Sequence, residues 1–495
     1  MTIQSITARA GSAGAPPLAD FRFDYRASLI SPVVVQGMVR AADFALVAAL
    51  GAGIYEFYVK EFDLAVDAPY LMTAAAVGLV ATVLFATTGL YSMPSLRSPI
   101  GQLSRLALSW TSLFAMLVAG VFLLKAGTSV SRVWLVAWYL TGAVSVVSMR
   151  TFVSGLVRGW MREGRLVRRA IVVGGGGDGE TLLKRLEAED NDIRICGVFD
   201  DRAQGRVGNL VAGYPKLGSV AEIADFARRT RVDLILVALP TRAETRLLEV
   251  LRQVMELPVD IRLSSLAAKL RLSPSAYSYI GAIPFLDVAS RPIANWAVVQ
   301  KFLFDRIIAT LALVALSPVM LLTAIAIKRD SKGPVLFKQK RYGFNNELIE
   351  VYKFRSMYTD LADQDASKLV TKGDPRVTKV GRFIRKTSID ELPQLFNVLK
   401  GELSLVGPRP HALQAKAADK LYQDAVDGYF ARHRVKPGLT GWAQINGWRG
   451  ETDTEEKIRK RVECDLYYID HWSVALDLYI LLKTPFALLK SENAY

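Results

Sequence analysis

Four apolar segments within the first 152 residues constrain the fold of this chain more than any other feature. They lie near residues 33–54, 70–91, 106–124 and 133–152, and each approaches the roughly 20 residues that a helix needs to cross a bilayer. The segments predict a bundle of four transmembrane helices. Because 495 residues are too many for one ordinary hydrophobic core, further domains are expected after the bundle.

The placement of arginine and lysine predicts the orientation of these helices. The connection after the first segment contains several acids and no arginine, whereas those after the second and fourth segments contain two and at least six arginines. Since basic residues concentrate on the cytoplasmic side, the N-terminus and everything after residue 150 are predicted to be cytoplasmic. Residues 1–32 lack the apolar region of a signal peptide and are predicted to form a disordered cytoplasmic tail.

The formal net charge of +15 favours partners that carry phosphate, such as lipid headgroups or an anionic substrate. No nucleic-acid recognition motif accompanies the charge, so nucleic acid is not an expected partner. Cys196 and Cys464 lie too far apart in sequence to suggest a disulfide framework or a metal site. His411, His433 and His471 show no paired spacing typical of metal ligands.

Residues 153–295 alternate short apolar strands with helical patterns. Strands are predicted near 170–174, 195–201 and 232–240, with a further strand near residue 260. Alternation of this kind predicts a parallel, doubly wound sheet, and therefore a cytoplasmic Rossmann-like α/β module.

A glycine-rich turn follows the first of these strands. Gly174, Gly176 and Gly179 satisfy G-x-G-x-x-G, a pattern whose backbone N–H groups can approach a pyrophosphate. Asp200 and Asp201 lie about where a ribose-binding acid would fall. A run of glycines meets the pattern easily, however, and no catalytic tyrosine–lysine pair follows. We favour a structural or regulatory module, with a nucleotide-binding module as the alternative.

A fifth apolar run, residues 307–327, contains Ser317-Pro318 at its middle. Proline removes a backbone donor and favours a break or kink, and the Ser317 hydroxyl is placed to satisfy the freed carbonyl. Basic residues flank both ends, so both ends prefer the cytoplasm. Residues 296–330 are therefore predicted to form a re-entrant membrane helix, with a fifth spanning helix as the alternative. The flanking residues are Lys301, Arg306, Lys328, Arg329 and Lys332.

Two adjacent acids, Asp390 and Glu391, lie in a basic region at a predicted helix start. Ser388 and Glu391 fit a capping box, which is the structural explanation for the pair. A carboxylate near Arg385 should also stay ionised, can attack phosphorus as a nucleophile, and can hold Mg²⁺ with its neighbour. Both explanations remain open. The cations expected to neutralise a diphosphate are Lys353, Arg355, Arg376, Arg385 and Arg409.

Long motifs in the last 200 residues resemble the bacterial sugar transferase family, the monotopic phosphoglycosyl transferases. They are the Ser317-Pro318 helix, VYKFRSM (351–357), DELPQLFNVLKGELSLVGPRP (390–410) and KPGLTGWAQINGWRGET (436–452). The membrane segments and the Rossmann-like module are similar to the large members of that family. GWRGET, RVECDLYYIDHWS and the terminal NAY look most like the undecaprenyl-phosphate glucose phosphotransferases.

The resemblance implies a reaction and roles for the acids. Asp390 would attack the β-phosphorus of a UDP-hexose and release UMP, Glu391 would coordinate Mg²⁺, and undecaprenyl phosphate would then accept the hexose-1-phosphate. Arg385 and Arg409 would hold phosphate groups. Further candidate substrate-binding residues are Lys353, Arg355, Arg376, Gln444, Asn446 and Arg449.

The resemblance also implies a setting. Residues 331–495 would form a mainly helical catalytic domain on the cytoplasmic face of a bacterial inner membrane, in a homodimer that initiates exopolysaccharide or capsule assembly. Glucose is the favoured sugar and galactose the alternative. The competing hypotheses are a membrane-bound NAD-dependent oxidoreductase or epimerase, and a scaffold with a degenerate catalytic end.

Overall fold

The structure is a computed structural model. It describes residues 30–490 except for 61–66, 126–129, 190–192, 203–208, 241–243, 265–277, 360–373, 412–415, 418–419, 423–425, 427, 449 and 451–453. Most of the predicted N-terminal tail, Arg449 and the terminal NAY therefore lie outside the described residues. The described residues divide into two compact units, one that extends to Arg168 and one that begins at Arg169.

The first unit is helical. The fourth predicted segment forms a longer helix than expected, which continues to Arg162 rather than ending near residue 152, and the third begins at Pro99 rather than near 106. Its helices are α1 (Pro32–Ile54, continued by a π-helical turn Tyr55–Val59), α2 (Asp67–Thr87), α3 (Met93–Arg97), α4 (Pro99–Leu123) and α5 (Arg132–Arg162).

Tryptophans of α5 connect it to α1. The Trp134 and Trp138 indole N–H groups donate to the carbonyls of Gly51 and Val47, at 2.8 and 3.0 Å. A side chain at Gly51 would collide with the Trp138 ring, because a Cβ there would lie 2.6 Å from it. Small size at residue 51 therefore lets the two helices pack closely.

Five helices in the described part of the chain are long and apolar enough to cross a membrane: Pro32–Val59, Pro69–Thr87, Pro99–Leu123, Arg132–Arg162 and Trp296–Asp330. Large apolar side chains on their outer faces are exposed, among them Leu108 and Val144. Such faces are expected where lipid replaces water. The chain is therefore a membrane protein.

The second unit begins with an eight-stranded sheet in the order β3-β4-β2-β1-β5-β6-β8-β7. Strand β5 pairs in parallel with β1 and with β6, and β2 pairs in parallel with β4. The strands are β1 (Arg168–Val173), β2 (Ile193–Phe199), β3 (Leu210–Val211), β4 (Tyr214–Gly218), β5 (Leu234–Val237), β6 (Asp260–Ser264), β7 (Ser278–Ile280) and β8 (Ile283–Ala289). Its helices are α6 (Gly177–Ala188), α7 (Ile223–Arg229) and α8 (Glu244–Val254).

The prediction of a purely parallel sheet is wrong at the two edges. Strand β3 pairs antiparallel with β4, β8 pairs antiparallel with β6, and β7 pairs antiparallel with β8. The β7–β8 connection turns at Gly281, whose φ of +59° lies in the left-handed region that tight hairpins need. Short hairpins of this kind lack the helical spacer on which the prediction of alternating strands and helices relied.

The glycine-rich turn is closed by contacts within the module. The Gly175 N–H donates to the Asp200 carboxylate at 2.6 Å, and the other oxygen of that carboxylate accepts from the Arg202 N–H at 2.8 Å. At Gly179, a Cβ would lie 1.9 Å from the Gly174 carbonyl oxygen. Close packing of α6 on β1 thus accounts for Gly179, as the structural interpretation of these glycines expects.

The remainder of this unit is built around one long helix. Helix α9 (Trp296–Asp330) stays helical through Pro318, so the predicted break is absent, whereas the re-entrant path remains a prediction. The Ser317 hydroxyl donates to the Val314 carbonyl at 2.8 Å. That carbonyl is the one that Pro318 cannot bond, so the predicted local compensation is confirmed.

Hairpin β9–β10 and a set of short elements surround α9. The core between them includes Ala309 of α9, Val351 of β10, Val398 and Tyr468. The elements are β9 (Leu336–Tyr342), β10 (Leu348–Phe354), α10 (Lys379–Lys386), a 3₁₀ turn (Ile389–Glu391), α11 (Gln394–Lys400), β11 (Ser404–Val406), β12 (Lys416–Ala417), β13 (Lys420–Leu421), a 3₁₀ turn (Tyr429–Arg434), β14 (Gly438–Thr440), α12 (Trp442–Ile445), α13 (Glu455–Asp470) and α14 (Val474–Lys490).

The packing at Gly179 gives a prediction with a matched control. Gly179→Ala should destabilise the α/β module by about 1–3 kcal/mol, because the new methyl group meets backbone rather than a movable side chain. Gly177→Ala, two residues earlier in the same helix, adds a methyl group into open space and should leave stability equal or slightly higher. Thermal unfolding of both variants tests this. An equal loss in both would contradict the packing argument.

Candidate active site

The two adjacent acids lie in the short 3₁₀ turn between α10 and α11. Ser388, which precedes the turn, has a φ of +59°, an uncommon value for a residue with a side chain. The predicted capping box is not formed, because the Ser388 side chain makes no capping hydrogen bond and α11 begins only at Gln394. The left-handed residue instead redirects the chain, so that the acids stand between two helices.

The Glu391 carboxylate is held by two cations. The Lys353 ammonium lies 2.9 Å from one carboxylate oxygen, and Arg409 donates to the same oxygen at 2.6 Å. Burial alone would raise the pKa of Glu391, but Arg409 and Lys353 together hold this pKa well below its usual range. Glu391 is therefore ionised at every physiological pH, and it brings β10, the acidic turn and the loop before residue 411 together.

Asp390 has a different environment. Within the described ranges, its carboxylate takes part in no ion pair, although Lys353, Arg385 and Arg409 lie near enough to lower its pKa. Burial outweighs these cations and, with the neighbouring Glu391 charge, raises the pKa of Asp390 to about 6. The expected ionisation at neutral pH holds, but the shift is upward. Asp390 thus offers an ionised oxygen that is not committed to a partner.

Hairpin β9–β10 presents a further cation that the sequence analysis missed. Antiparallel pairing sets Arg341 opposite Ile349 and Gln339 opposite Val351, so Arg341 shares a hairpin face with Lys353. Arg341 donates to Gln339 and to the Pro410 carbonyl, and burial beside Arg409 lowers the pKa of Arg341 to about 10. The alternation of side chains between the two faces of KQKRYG (338–343), aligned with the facing strand VYKF (351–354), is the signal that could have identified Arg341.

Glu391 and three of these cations line one small cleft, and Asp390 is not among its lining residues. Its walls come from the hairpin, the acidic turn, α11 and the strand pair β11–β14. The lining residues are Arg341, Val351, Lys353, Glu391, Gln394, Arg409, Pro410 and Gly438. The cleft therefore collects three of the cations around the carboxylate pair.

Asn397 fixes the hairpin against α11. Its side chain is fully buried, and its amide group accepts from the Tyr352 N–H at 2.9 Å and donates to the Glu350 carbonyl at 2.7 Å. Both backbone groups lie within the three residues that precede Lys353 on β10, so Asn397 fixes the strand that carries this lysine to Glu391.

Arg355 makes its hydrogen bonds away from the acids, and its substrate-binding role stays a prediction. Its guanidinium donates to the carbonyls of Ser331 and Lys332, at 2.8 and 2.5 Å, and to the Thr359 hydroxyl at 2.9 Å. A buried arginine must satisfy its donors, and here the chain leaving α9 supplies the acceptors. Arg355 anchors the end of that helix.

Arg376 is likewise engaged elsewhere. Its guanidinium forms a paired contact with the Asp374 carboxylate, with the shorter bond at 2.7 Å, and this bond lowers the pKa of Asp374. Arg385 lies near both Asp374 and Asp390. Of Arg376 and Arg385, both predicted to bind phosphate, only Arg385 lies near the acids.

The remaining predicted residues lie on and after α12. The side-chain oxygen of Gln444 is buried and has no hydrogen-bond partner among the described residues. Asn446 is exposed, and its side chain donates to the Trp442 carbonyl at 2.9 Å. Neither residue lines the cleft around Glu391.

A buried polar network supports Arg409 from behind. Arg432, fully buried, donates to the Arg409 carbonyl at 2.8 Å and to the Asp465 carboxylate at 2.5 Å. It also contacts the His411 ring, and burial together with Arg432 and Arg461 holds the pKa of His411 well below its usual range. His411 is therefore neutral and structural, and α13 determines where the Arg409 backbone lies.

The donor set for a divalent cation is small. No group of three or more histidine, cysteine or acidic side chains suited to a metal occurs in the described part of the chain. The Asp390 and Glu391 oxygens remain. Mg²⁺ commonly binds through one or two carboxylates plus substrate phosphates, so this pair fits such a site only together with a phosphorylated ligand.

Known families match two parts of the chain. Bacterial sugar transferases match residues 296–491, and the CoA-binding domain family matches residues 86–265. The first region contains both acids and all of the cations described above. The second contains the described part of the glycine-rich turn and the first strands of the sheet.

Individual relatives extend the similarity. The UDP-glucose:undecaprenyl-phosphate glucose-1-phosphate transferase of Xanthomonas campestris pv. campestris is 32% identical over 92% of this chain and 94% of its own length. The undecaprenyl-phosphate glucose phosphotransferase of Komagataeibacter xylinus is 40% identical over 333 residues. This match covers 67% of the present chain and 61% of the length of that relative.

A relative with a different sugar in its name matches a shorter region. The UDP-N-acetylgalactosamine-undecaprenyl-phosphate N-acetylgalactosaminephosphotransferase of Aeromonas hydrophila is 45% identical over 36% of this chain and 41% of its own length. Similarity over nearly the full length of the Xanthomonas protein, together with the match at residues 296–491, establishes the family. The chain is a membrane-bound enzyme of the bacterial sugar transferase family.

Proposed function

We propose that this enzyme transfers hexose-1-phosphate from a UDP-sugar to undecaprenyl phosphate and releases UMP, with glucose as the sugar. The observation that carries the proposal is the difference in ion pairing between Asp390 and Glu391. Glu391 is neutralised by Lys353 and Arg409, whereas Asp390 keeps an ionised oxygen without an ion-pair partner among the described residues. The names of the Xanthomonas and Komagataeibacter relatives support glucose.

In the first step, an Asp390 carboxylate oxygen attacks the β-phosphorus of the UDP-sugar. A new bond forms between this oxygen and phosphorus, the bond from phosphorus to the bridging oxygen breaks, and UMP leaves with the electron pair. Lys353, Arg341 and Arg409 lie where they can neutralise the diphosphate and the charge that moves to UMP. A carboxylate whose pKa is about 6 is both ionised at neutral pH and a competent leaving group afterwards.

In the second step, a phosphate oxygen of undecaprenyl phosphate attacks the same phosphorus. The bond to Asp390 breaks, the carboxylate is restored, and undecaprenyl-diphosphate-hexose leaves. Two anionic substrates thus react in turn through one group, which explains why an acid pair is surrounded by cations. Glu391 would hold Mg²⁺ together with diphosphate oxygens, and the ion would neutralise charge on the diphosphate.

The contacts of α9 support a re-entrant path. Near its N-terminal end, Lys301 donates to the Val406 carbonyl at 3.0 Å and pairs with Asp477 at 2.7 Å. At its C-terminal end, the Asp330 carboxylate accepts from the Val380 N–H at 3.0 Å. A helix that crossed the bilayer would carry its ends to opposite faces, where one soluble domain would not contact both. We therefore place both ends on the cytoplasmic face, where UDP-sugars are found.

Galactose is the second candidate sugar. The Aeromonas relative shows that a similar catalytic region occurs in a protein named for a different hexose derivative. In the proposed reaction the acids and cations described above act on phosphate groups rather than on the sugar, so the reaction class and the sugar are separate questions.

The reaction is tested by UMP release from purified protein in detergent, with Mg²⁺, undecaprenyl phosphate and UDP-glucose, UDP-galactose or UDP-N-acetylgalactosamine. We expect release with UDP-glucose and at least a thousandfold loss in Asp390→Asn, since the nucleophile is gone. Asp374→Asn, an acid of the same region that pairs with Arg376, is the control and should remain active. Full activity of Asp390→Asn would refute the assigned nucleophile.

The pH dependence follows from the raised pKa of Asp390. The ionised form is lost as the pH falls through about 6, so kcat/KM should fall about tenfold per pH unit below that value. Arg385→Gln removes a cation that lowers this pKa, and the acid limb should move to higher pH. Arg382→Gln, an exposed arginine of the same helix, should leave the limb in place. Identical profiles for the two variants would argue against control by Asp390.

Replacing Arg341 should mainly lower activity, whereas replacing Arg355 should mainly lower thermal stability. Arg341→Gln should lower kcat/KM about 100-fold, because it removes charge from the cleft, and this loss should exceed any effect of the lost Pro410 bond on the fraction of folded protein. Arg355→Gln should lower the melting temperature first, because the buried Arg355 side chain holds the chain that leaves α9 through its bonds to the carbonyls of Ser331 and Lys332. The reverse pattern would reassign the phosphate contacts.

Cysteine accessibility tests the path of α9. In a variant that lacks Cys196 and Cys464, single cysteines at Gln300 and Lys332 should both react with a membrane-impermeant maleimide only after inside-out vesicles are prepared. Both positions are exposed. Reaction of the two positions from opposite sides of the membrane would establish a spanning helix.

A further inference from the structure

A cavity in the helical unit is lined by three arginines. Arg97, at the end of α3, and Arg158 and Arg162, in the last two turns of α5, surround a cavity of about 480 Å³ together with Gly155 and Met161. A hydrogen bond from the Ser154 hydroxyl to the Arg97 carbonyl, 2.9 Å long, holds α3 against α5 at this point. The cavity lies wholly within residues 26–168, and none of these residues takes part in the reaction proposed above.

Two of the three arginines that line this cavity, Arg158 and Arg162, lack an acidic partner in the described part of the chain. Neither Arg158 nor Arg162 pairs with an acid anywhere in the described ranges, and the nearby Glu163 pairs with Arg165 at 3.6 Å. Arg158 donates through Nε to the Ser154 carbonyl, which leaves the rest of its guanidinium available. Two neighbouring guanidinium groups without acidic partners, Arg158 and Arg162, favour a phosphate, which can accept paired hydrogen bonds from each of them.

The surroundings of the cavity are apolar. Phe152 and Leu156, one turn apart on α5, are 66% and 40% exposed. Gly155, between them, leaves open space where a side chain would stand, since nothing lies within 4 Å of an added Cβ. An apolar helix face next to a cationic cavity matches the two parts of a lipid, namely acyl or prenyl chains and a charged headgroup.

We propose that this cavity binds the phosphate headgroup of an anionic membrane lipid. By the distribution of arginine, Arg97 and the C-terminal end of α5 lie on the cytoplasmic side, at the depth of lipid headgroups. The phosphate accepts from Arg158 and Arg162, and the chains lie along Phe152 and Leu156. The site is independent of the proposed reaction, because it uses no residue of the cleft around Glu391.

The test counts lipids bound to the full-length protein by native mass spectrometry from detergent micelles. The probes are dioleoyl phosphatidic acid, dioleoyl phosphatidylcholine, which has the same chains with a neutral headgroup, and inorganic phosphate. We expect one tightly held phosphatidic acid, weakened about 30-fold in Arg158→Gln/Arg162→Gln, since each arginine contributes about a fivefold preference. Arg132→Gln, at the opposite end of α5, is the matched control and should bind normally.

Two further variants guard against misfolding and altered orientation. Arg158→Lys/Arg162→Lys keeps the charge that orients α5 but loses the paired donors, and it should bind with intermediate affinity. Gly155→Phe fills the open space without changing any charge, and it should also release the lipid. Equal retention of phosphatidic acid by all variants, equal binding of phosphatidylcholine, or equally tight binding of inorganic phosphate would overturn the proposal. UMP release, measured in parallel, reports separately on the reaction.

Discussion

The pairing of Glu391 with Lys353 and Arg409 is the interaction on which the rest of the catalytic region depends. It joins three segments that are distant in sequence: hairpin β9–β10, the acidic 3₁₀ turn and the loop after β11. The side chains of Lys353 and Glu391 are only 17% and 19% exposed, so solvent screens the attraction incompletely. Removing Glu391 would leave both cations partly buried without this partner, whereas removing either cation would leave Glu391 with one partner instead of two.

This interaction also explains why two neighbouring acids differ. Glu391 receives both cations directly, so its negative charge persists and opposes ionisation of Asp390. Burial acts in the same direction on Asp390, and the nearby cations keep its pKa from rising further. The result is a carboxylate that is ionised near neutral pH yet weakly basic, as a group must be if it is to form and then release a bond to phosphorus. Arg432 and Asp465 extend the support outward by fixing the Arg409 backbone.

Sequence reasoning was most successful for residues whose chemical group and position in a motif both indicate the same contact. Lys353 and Arg409 were expected at the acids and lie there, and the Ser317 hydroxyl satisfies the carbonyl freed by Pro318. It did not anticipate the hydrogen bonds of Arg355 and Arg376, because a sequence pattern shows that a cation is near but not which acceptor it will meet. Arg341 was missed because its position depends on how two strands pair.

The position of Arg341 beside Lys353 depends on the register of hairpin β9–β10, which is a property of strand pairing rather than of either strand alone. The capping box failed for a local reason: Ser388 adopts a left-handed conformation that no pattern of residue types specifies. Likewise, the antiparallel edge strands carry no helical spacer by which alternation could reveal them. Long-range pairing and backbone conformation are therefore the two kinds of information that the sequence patterns lacked.

The most direct measurement is mass spectrometry of the protein after incubation with UDP-glucose and Mg²⁺ in the absence of any lipid acceptor. A covalent two-step reaction predicts release of close to one UMP per chain and a single phosphoglucose adduct on the peptide that contains Asp390, which disappears when undecaprenyl phosphate is added. UMP release only in the presence of lipid, with no adduct at any time, would mean direct transfer between the two substrates and would contradict the role assigned to Asp390.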